Sequence, residues 1–130
     1  MMKSKYKILL FLFILSLTFH PIFAQSKPSK KILRHVVIFK FNDSSSTNDV
    51  QHVADTFYSL KKKTRLIKDM EWGINNSPEN YNQGFTHCFI LSFESEKDLA
   101  DYQNDPNHKA FQEVLKPHME KVFVVDYWVK

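Results

Sequence analysis

Three histidines and one tyrosine of this 130-residue chain have the side chains and the positions that proton-transfer chemistry requires. His35 and His87 each lie near the start of an apolar segment, and Tyr102 precedes His108 by six residues. We expect both strand histidines on the sheet face that the helices cover, so that all four side chains converge at one end of the layer between sheet and helices. Polar groups converging in an apolar pocket are the usual signature of a ligand site or active site.

His108 is the candidate general base of this group. It follows Asp105 at a predicted helix start, where the positive end of the helix dipole lowers the pKa of a histidine and favours its neutral form. A neutral imidazole can accept a proton at pH 7. Tyr102 can donate a hydrogen bond to a carbonyl oxygen that becomes negative when a proton is removed. A purely structural role remains the alternative for each of these side chains.

The spacing of the histidines argues against a metal site. His35, His87 and His108 lack the separation of three to five residues that is typical of zinc ligands, so we expect neither a metal nor another cofactor. We expect Cys88 on the strand face opposite His87, and this geometry argues against a Cys–His nucleophile pair.

Asp126 is an acidic residue inside an apolar strand. We expect it to have a structural role and to pair with Arg34 or Lys40 across the sheet.

The first 24 residues have the pattern of a cleaved secretory signal peptide. Three lysines precede an uncharged apolar run over residues 8–19, Pro21 ends the run, and Ala24 supplies a small residue for cleavage. The run is shorter than the roughly 20 residues that span a bilayer. We therefore predict an exported protein, periplasmic or secreted, with a disordered lead-in over residues 25–32 and a folded domain over residues 33–130.

The positive charge of the chain is concentrated in that leader. The chain has 18 Lys and Arg against 14 Asp and Glu, but residues 1–24 contain three lysines and no acid. The mature domain is nearly neutral, which argues against nucleic acid and against a membrane surface as partners, since both need clustered positive charge. A single cysteine excludes an internal disulfide.

The order of the predicted elements is β-α-β-β-α-β, with the second helix broken in two. Alternating apolar residues predict strands over residues 33–41, 67–74, 85–93 and 122–129. Apolar spacings of three and four predict a helix from the serine run at residues 44–47 to about residue 62, and two short helices that begin at Ser95 and at Asp105-Pro106. We expect Ala110, Phe111, Val114 and Leu115 to form the buried stripe of the last helix. This order predicts an α+β, ferredoxin-like protomer with an antiparallel four-stranded sheet.

The two faces of this sheet have different expected environments. The face under the helices should form a pocket for a small molecule, lined by His35, His87, Phe39, Phe57, Phe89 and Phe111. The other face has no cover over Val36, Ile38, Cys88, Ile90 and one side of the last strand. An apolar surface of this size indicates a partner, and a symmetric homodimer that packs sheet against sheet buries it.

The segments HVVIFKF, WG, GFTH, FES, Tyr102-x5-His108 and DYW extend over Leu33–Trp128 and resemble the stress-responsive A/B barrel (Dabb) family. The resemblance implies a dimeric α/β barrel of ferredoxin-like protomers. A plant polyketide cyclase of this family closes a linear thioester by aldol condensation without metal or cofactor, and its working residues correspond to His35, His87, Tyr102 and His108. By this resemblance His108 is the base, Tyr102 holds the carbonyl oxygen, and His35 and His87 line and orient the pocket.

Two functions from different classes follow from the sequence. The first is an exported dimer that binds a small ligand and has an accessory role in stress response or extracellular polysaccharide degradation. The alternative is a cofactor-free enzyme of the polyketide-cyclase type, with His108 as base and Tyr102 as hydrogen-bond donor.

Overall fold

The computed structural model describes residues 30–130. The predicted signal peptide and all but the last residues of the lead-in therefore lie outside the described residues. Seven elements follow one another along the chain: β1 Leu33–Phe41, α1 Thr47–Lys63, β2 Asp69–Ile74, β3 His87–Phe93, α2 Glu96–Asn104, α3 Pro106–Leu115 and β4 Met119–Trp128. The predicted order is confirmed, although β2 and β3 begin two residues later than expected and β4 begins three residues earlier.

The helix starts are set by local capping groups. The Ser46 side chain accepts from the Asp49 backbone N–H, and the Asp49 carboxylate accepts from the Ser46 backbone N–H, which completes a capping box at α1. At α3 the Asp105 side chain accepts from the Asn107 backbone N–H, and Pro106 occupies the first position of the helix, where a missing N–H costs nothing. Because α2 ends where Asp105 begins the cap of α3, Tyr102 and His108 lie on either side of a tight corner.

The four strands form one antiparallel sheet in the order β2-β3-β1-β4. Together with the helices on one face, this is the predicted α+β, ferredoxin-like fold. The register sets His35 opposite Leu91 on one side and Asp126 on the other, and it sets Phe39 opposite His87. The sheet therefore has β2 and β4 as its two free edges.

The core lies between the sheet and the helices. Its centre is an aromatic cluster of Phe39, Phe57, Phe89 and Phe111, in which the Phe57 and Phe111 rings stack with centroids 4.4 Å apart. The expected stripe of α3 is buried at Phe111 and Leu115 and half-buried at Val114. The expectation for Ala110 was wrong: it is exposed, because the i, i+4 pair of Phe111 and Leu115 faces the sheet and its neighbour points away.

The opposite sheet face and β4 remain less covered. Val36, Ile38, Cys88 and Ile90 are half-buried, and nearly all of β4 is exposed, on both of its faces. The helices lie mainly over β2 and β3, where α1 packs against β2 and α2 against β3. Among residues 30–130, no helix is both long and apolar enough to cross a membrane.

Candidate functional site

A pocket of about 500 Å³ opens between α3 and the strands β1 and β4. Most of its lining is apolar, from Val37, Phe39, Phe57, Phe111, Leu115, Met119, Val122 and Val124. His35 and His108 supply polar groups inside it, and the exposed side chains of Gln103, Gln112, Glu113 and Lys116 stand at its rim. A pocket of this size and composition suits a small molecule with an apolar body and few polar groups.

His108 has the tautomer of a general base. Its Nδ1 lies 3.3 Å from the backbone oxygen of Gln103 across the α2–α3 corner. A carbonyl oxygen only accepts, so Nδ1 carries the proton and Nε2 of the neutral ring keeps its lone pair. Burial lowers the pKa of His108 below its ordinary value, and nearby His35 adds to this effect. The expected direction of the pKa is thus present, but burial rather than the helix dipole is its main cause.

Tyr102 does not line the pocket, and its hydroxyl is buried. The side chain is only 1% exposed, and its hydroxyl has no hydrogen-bond partner among the described residues. Its ring packs against His108 with centroids 4.4 Å apart and against His35 at 6.3 Å. Burial raises the pKa of Tyr102 far above its ordinary value, so the phenol stays protonated at neutral pH and can only act as a neutral hydrogen-bonding group.

The ring of His35 is held by Asp126, a residue that we expected to pair with a basic side chain instead. Its Nδ1 donates to Oδ1 of Asp126 at 2.6 Å. The expected pairing of Asp126 with Arg34 or Lys40 was wrong, because Asp126 is the register partner of His35 and shares its helix-facing side. Arg34 and Lys40 point to the other face, where they bond to Ser92 and Glu120.

His87 does not join the other three polar side chains. Because β1 and β3 are antiparallel, their first residues lie at opposite ends of the sheet, and His87 pairs with Phe39 rather than with His35. Four strand residues separate these two levels, which corresponds to about 13 Å. His87 instead stacks on Trp72, bonds to the Thr86 hydroxyl at 2.9 Å and lines a separate depression of about 440 Å³. Burial lowers its pKa.

The remaining predicted pocket residues divide between the lining and the core beneath it. Phe39, Phe57 and Phe111 line the pocket, whereas Phe89 is fully buried in the aromatic cluster behind them. Sequence reasoning missed the walls from β4 and from the end of α3, namely Val122, Val124 and Leu115. The alternation of β4 marks Val122, Val124 and Asp126 as neighbours on one face, but only the strand register shows which face this is.

Other reactive groups lie away from the pocket. Cys88 is half-buried on the opposite sheet face, and burial raises the pKa of its thiol, which makes it a weak nucleophile. Within the part of the chain that the structure describes, no three His, Cys, Asp or Glu side chains are grouped to hold a metal ion.

A family model, the Stress responsive A/B Barrel Domain, matches residues 33–129 of the chain. The chain belongs to the Dabb family. Among curated relatives, the stress-response A/B barrel domain-containing protein HS1 of Arabidopsis thaliana is 31% identical, with 76% of this chain and 91% of that protein covered. Olivetolic acid cyclase of Cannabis sativa is 28% identical, with 73% and 94% covered.

Solved structures agree with the Dabb fold. A hydroxynitrile lyase from Passiflora edulis superposes with a TM-score of 0.73 at 24% identity, covering 78% of this chain and 95% of that one. A dimeric ferredoxin-like protein from Bacteroides fragilis superposes with a TM-score of 0.63 at 24% identity, covering 75% and 96%. The predicted family and fold class are therefore confirmed, and the structural neighbours include dimers.

Proposed function

We propose that this Dabb domain is a homodimer that binds a small carbonyl-bearing molecule in the pocket between α3 and the sheet. The observation that carries the proposal is the Tyr102 hydroxyl, a buried donor without a partner among residues 30–130. The Tyr102 ring packs against His35 and His108, which line the pocket. Leaving a hydroxyl buried and unpaired costs about 1–3 kcal/mol, so a ligand oxygen that accepts its hydrogen bond recovers this energy. The apolar lining of the pocket can contact the hydrocarbon part of such a ligand.

The homodimer in this proposal is supported by the open sheet face. Alternate residues of β4 that face away from the helices, Phe123, Val125 and Tyr127, are large, apolar and exposed. They adjoin half-buried Val36 and Ile38 in one continuous surface. Sedimentation of residues 25–130 should give a dimer at micromolar concentration, and a stable monomer contradicts the proposal.

The cellular setting is part of the proposal. The leader pattern of residues 1–24 favours export to the periplasm or the medium. For an exported binding domain we propose an accessory role, in stress response or in extracellular polysaccharide degradation. Expression of the full chain, followed by osmotic shock and mass spectrometry of the released protein, should detect an N-terminus at Gln25. An uncleaved protein in the cell pellet argues against export.

A second candidate function is proton transfer at the carbon next to the carbonyl group. It is favoured by the His108–Gln103 bond, which leaves a lone pair on Nε2 of a histidine whose ring packs against Tyr102. In this reaction Nε2 takes a proton from the carbon, the C–H electron pair moves towards the carbonyl oxygen, and Tyr102 donates to that oxygen. His35, oriented by Asp126, lies beside Tyr102 and is placed to contact the same ligand.

One ligand tests both functions separately. We choose 2-heptanone, which has a carbonyl group and a short apolar chain. Binding should shift the amide resonances of Val37 and Leu115 in ¹⁵N-labelled protein, and the absence of any shift at millimolar concentration contradicts the binding proposal.

Catalysis is measured with the same ketone as deuterium uptake at its α-carbon in D₂O. Replacement of His108 by Ala should slow this exchange by roughly 10²-fold or more. The matched control His52→Ala changes an exposed histidine of α1 outside the pocket. Equal exchange in His108→Ala and wild type would remove His108 as base while leaving the binding function in place.

A further inference from the structure

His87 lies at the base of a second depression, at the other end of the sheet from His35. The depression has a volume of about 440 Å³ and opens between the start of α1, the ends of β1 and β2, and the start of β3. His87 is only 8% exposed, because its ring stacks on Trp72 at 6.0 Å and meets the Phe41 ring at a right angle at 5.0 Å. Aromatic contacts thus fix a polar ring in this depression.

One ring nitrogen of His87 is left for a ligand. Nδ1 lies 2.9 Å from the Thr86 hydroxyl, whereas Nε2 has no hydrogen bond within residues 30–130. In the same part of the chain the Tyr102 hydroxyl is the buried side-chain atom without a partner, so Nε2 is not sealed off and opens into the depression. Burial lowers the pKa of His87, so its ring is neutral at neutral pH. When Nδ1–H donates to Thr86, Nε2 offers its lone pair to a donor.

The charges around this depression favour a cation. Three lining side chains already have partners, in the pairs Ser45–His118, Gln51–Asp55 and Lys40–Glu120, at 2.8 to 2.9 Å. Asp43 also lines the depression, but it is exposed and has no ion pair among the described residues. The positive end of α1 is offset by the Asp49 carboxylate of its capping box. Because Glu120 balances Lys40, the unpaired carboxylate of Asp43 leaves the local charge negative.

The remaining walls of the depression are apolar. Ile74 is the register partner of His87 and so lies on the same sheet face, yet it is 59% exposed. Phe41 and Val50 are half-buried and line the same depression. Small-molecule sites combine apolar walls with a few polar groups that set the orientation of the ligand. A ligand for this site therefore needs a hydrocarbon body next to its charged group.

We propose that this depression is a second binding site, which takes a small primary amine with an apolar body. The ammonium group donates a hydrogen bond to Nε2 of His87 and lies close to the Asp43 carboxylate, while the hydrocarbon part covers Ile74. An ammonium group has three donors and no acceptor, which matches two side chains that both accept. This site is independent of the carbonyl pocket and of the homodimer.

Binding is tested by titration of benzylamine into the ¹⁵N-labelled full chain at neutral pH. The amide resonances of Thr86 and Val50 should shift and saturate at millimolar concentration. Benzyl alcohol and phenylacetate carry the same ring and methylene group without the positive charge, and each should bind at least about threefold more weakly. Equal or tighter binding of either compound, or the absence of benzylamine shifts at Thr86 and Val50, overturns the inference.

Two variants test the binding groups. His87→Phe keeps an aromatic ring against Trp72 and removes Nε2, so benzylamine should bind about tenfold more weakly or worse. Asp43→Asn changes an exposed side chain and should weaken binding by about two- to fivefold. Asp101→Asn is the control for net charge, because it removes an exposed carboxylate of α2 outside the depression and should leave the affinity unchanged. Wild-type affinity in Asp43→Asn, or in folded His87→Phe, refutes the site.

The resonances that shift distinguish this site from the carbonyl pocket. If benzylamine shifts Val37 and Leu115 instead of Thr86 and Val50, it enters the pocket beside α3 and the second site is wrong. A failure of 2-heptanone to bind contradicts the proposed function, whereas the benzylamine titration is read at other residues and still decides the second site.

Discussion

Replacing Tyr102 by Phe should make the protein more stable and its ligand binding weaker. The substitution removes only the hydroxyl, which is buried and has no partner among residues 30–130. The ring keeps its contacts with Phe93 and His108, whose centroids lie 5.2 Å and 4.4 Å away. Relief of an unpaired buried hydroxyl is worth about 1–3 kcal/mol, and the small void left by the oxygen offsets part of it. We expect the free energy of unfolding to rise by about 1 kcal/mol.

The change in stability is measured by urea unfolding followed by far-ultraviolet circular dichroism. A gain of about 1 kcal/mol should raise the midpoint without changing the slope m, and it corresponds to roughly 4–8 °C in Tm for a domain of about 100 residues. All proteins are compared at one concentration, because dimer stability depends on it. Tyr58→Phe is the matched control: that tyrosine is exposed on α1, away from the open sheet face, so the free energy of unfolding should change by less than about 0.5 kcal/mol.

The effect on binding has the opposite sign. Loss of one hydrogen bond of about 0.5–1.5 kcal/mol weakens the affinity for 2-heptanone by roughly two- to tenfold. Stabilisation together with weaker binding is the signature of a polar group that serves a ligand rather than the fold. If Tyr102→Phe is instead less stable by about 1 kcal/mol or more, it has lost about the net contribution of one hydrogen bond. The hydroxyl then already has a hydrogen-bond partner in the protein without ligand, and the prediction is refuted.

Three further predictions concern the base, the core and one turn. Burial lowers the pKa of His108 below its ordinary value of 6.5, so the acidic limb in the pH profile of 2-heptanone α-exchange should be centred below that pH; an acidic limb centred at pH 7 or above contradicts this. Phe57→Ala removes a ring stacked on Phe111 and should lower the free energy of unfolding by about 3–5 kcal/mol in the urea assay, and a loss below 1 kcal/mol argues against the aromatic cluster as the core. Gly84→Ala should cost about 1 kcal/mol in the same assay, because φ is +82° at this position, a conformation that a residue with a Cβ adopts only under strain; an unchanged midpoint refutes the strain.

The sequence predicts helices and strands well where they depend on residues only a few positions apart. The capping groups Ser46 and Asp105 begin α1 and α3 where expected, because each satisfies N–H groups only two or three residues away. Alternation over Leu33–Phe41 likewise predicts β1, since successive side chains of a strand point to opposite faces. Strand ends are less exact: β4 begins at Met119 rather than at residue 122, because pairing with β1 continues across a bulge beside Phe41.

The site depends on distances between segments that are far apart in the chain. The residue types of His35, Tyr102 and His108 were sufficient to predict them as site residues. The α2–α3 corner and the sheet then bring their rings together. His87 shows the limit of this reasoning, since its place at a strand start is the same as that of His35, but antiparallel pairing sends it to the other end of the sheet.

The sequence by itself determined the elements, their order, the family and the polar residues available for chemistry. Only the tertiary structure decided which of these residues meet. Strand register, a long-range property, placed Asp126 beside His35, and the strand order set β4 at an edge where the pocket is open. Hydrophobic periodicity specifies which face of an element is buried, but not the neighbour against which it is buried.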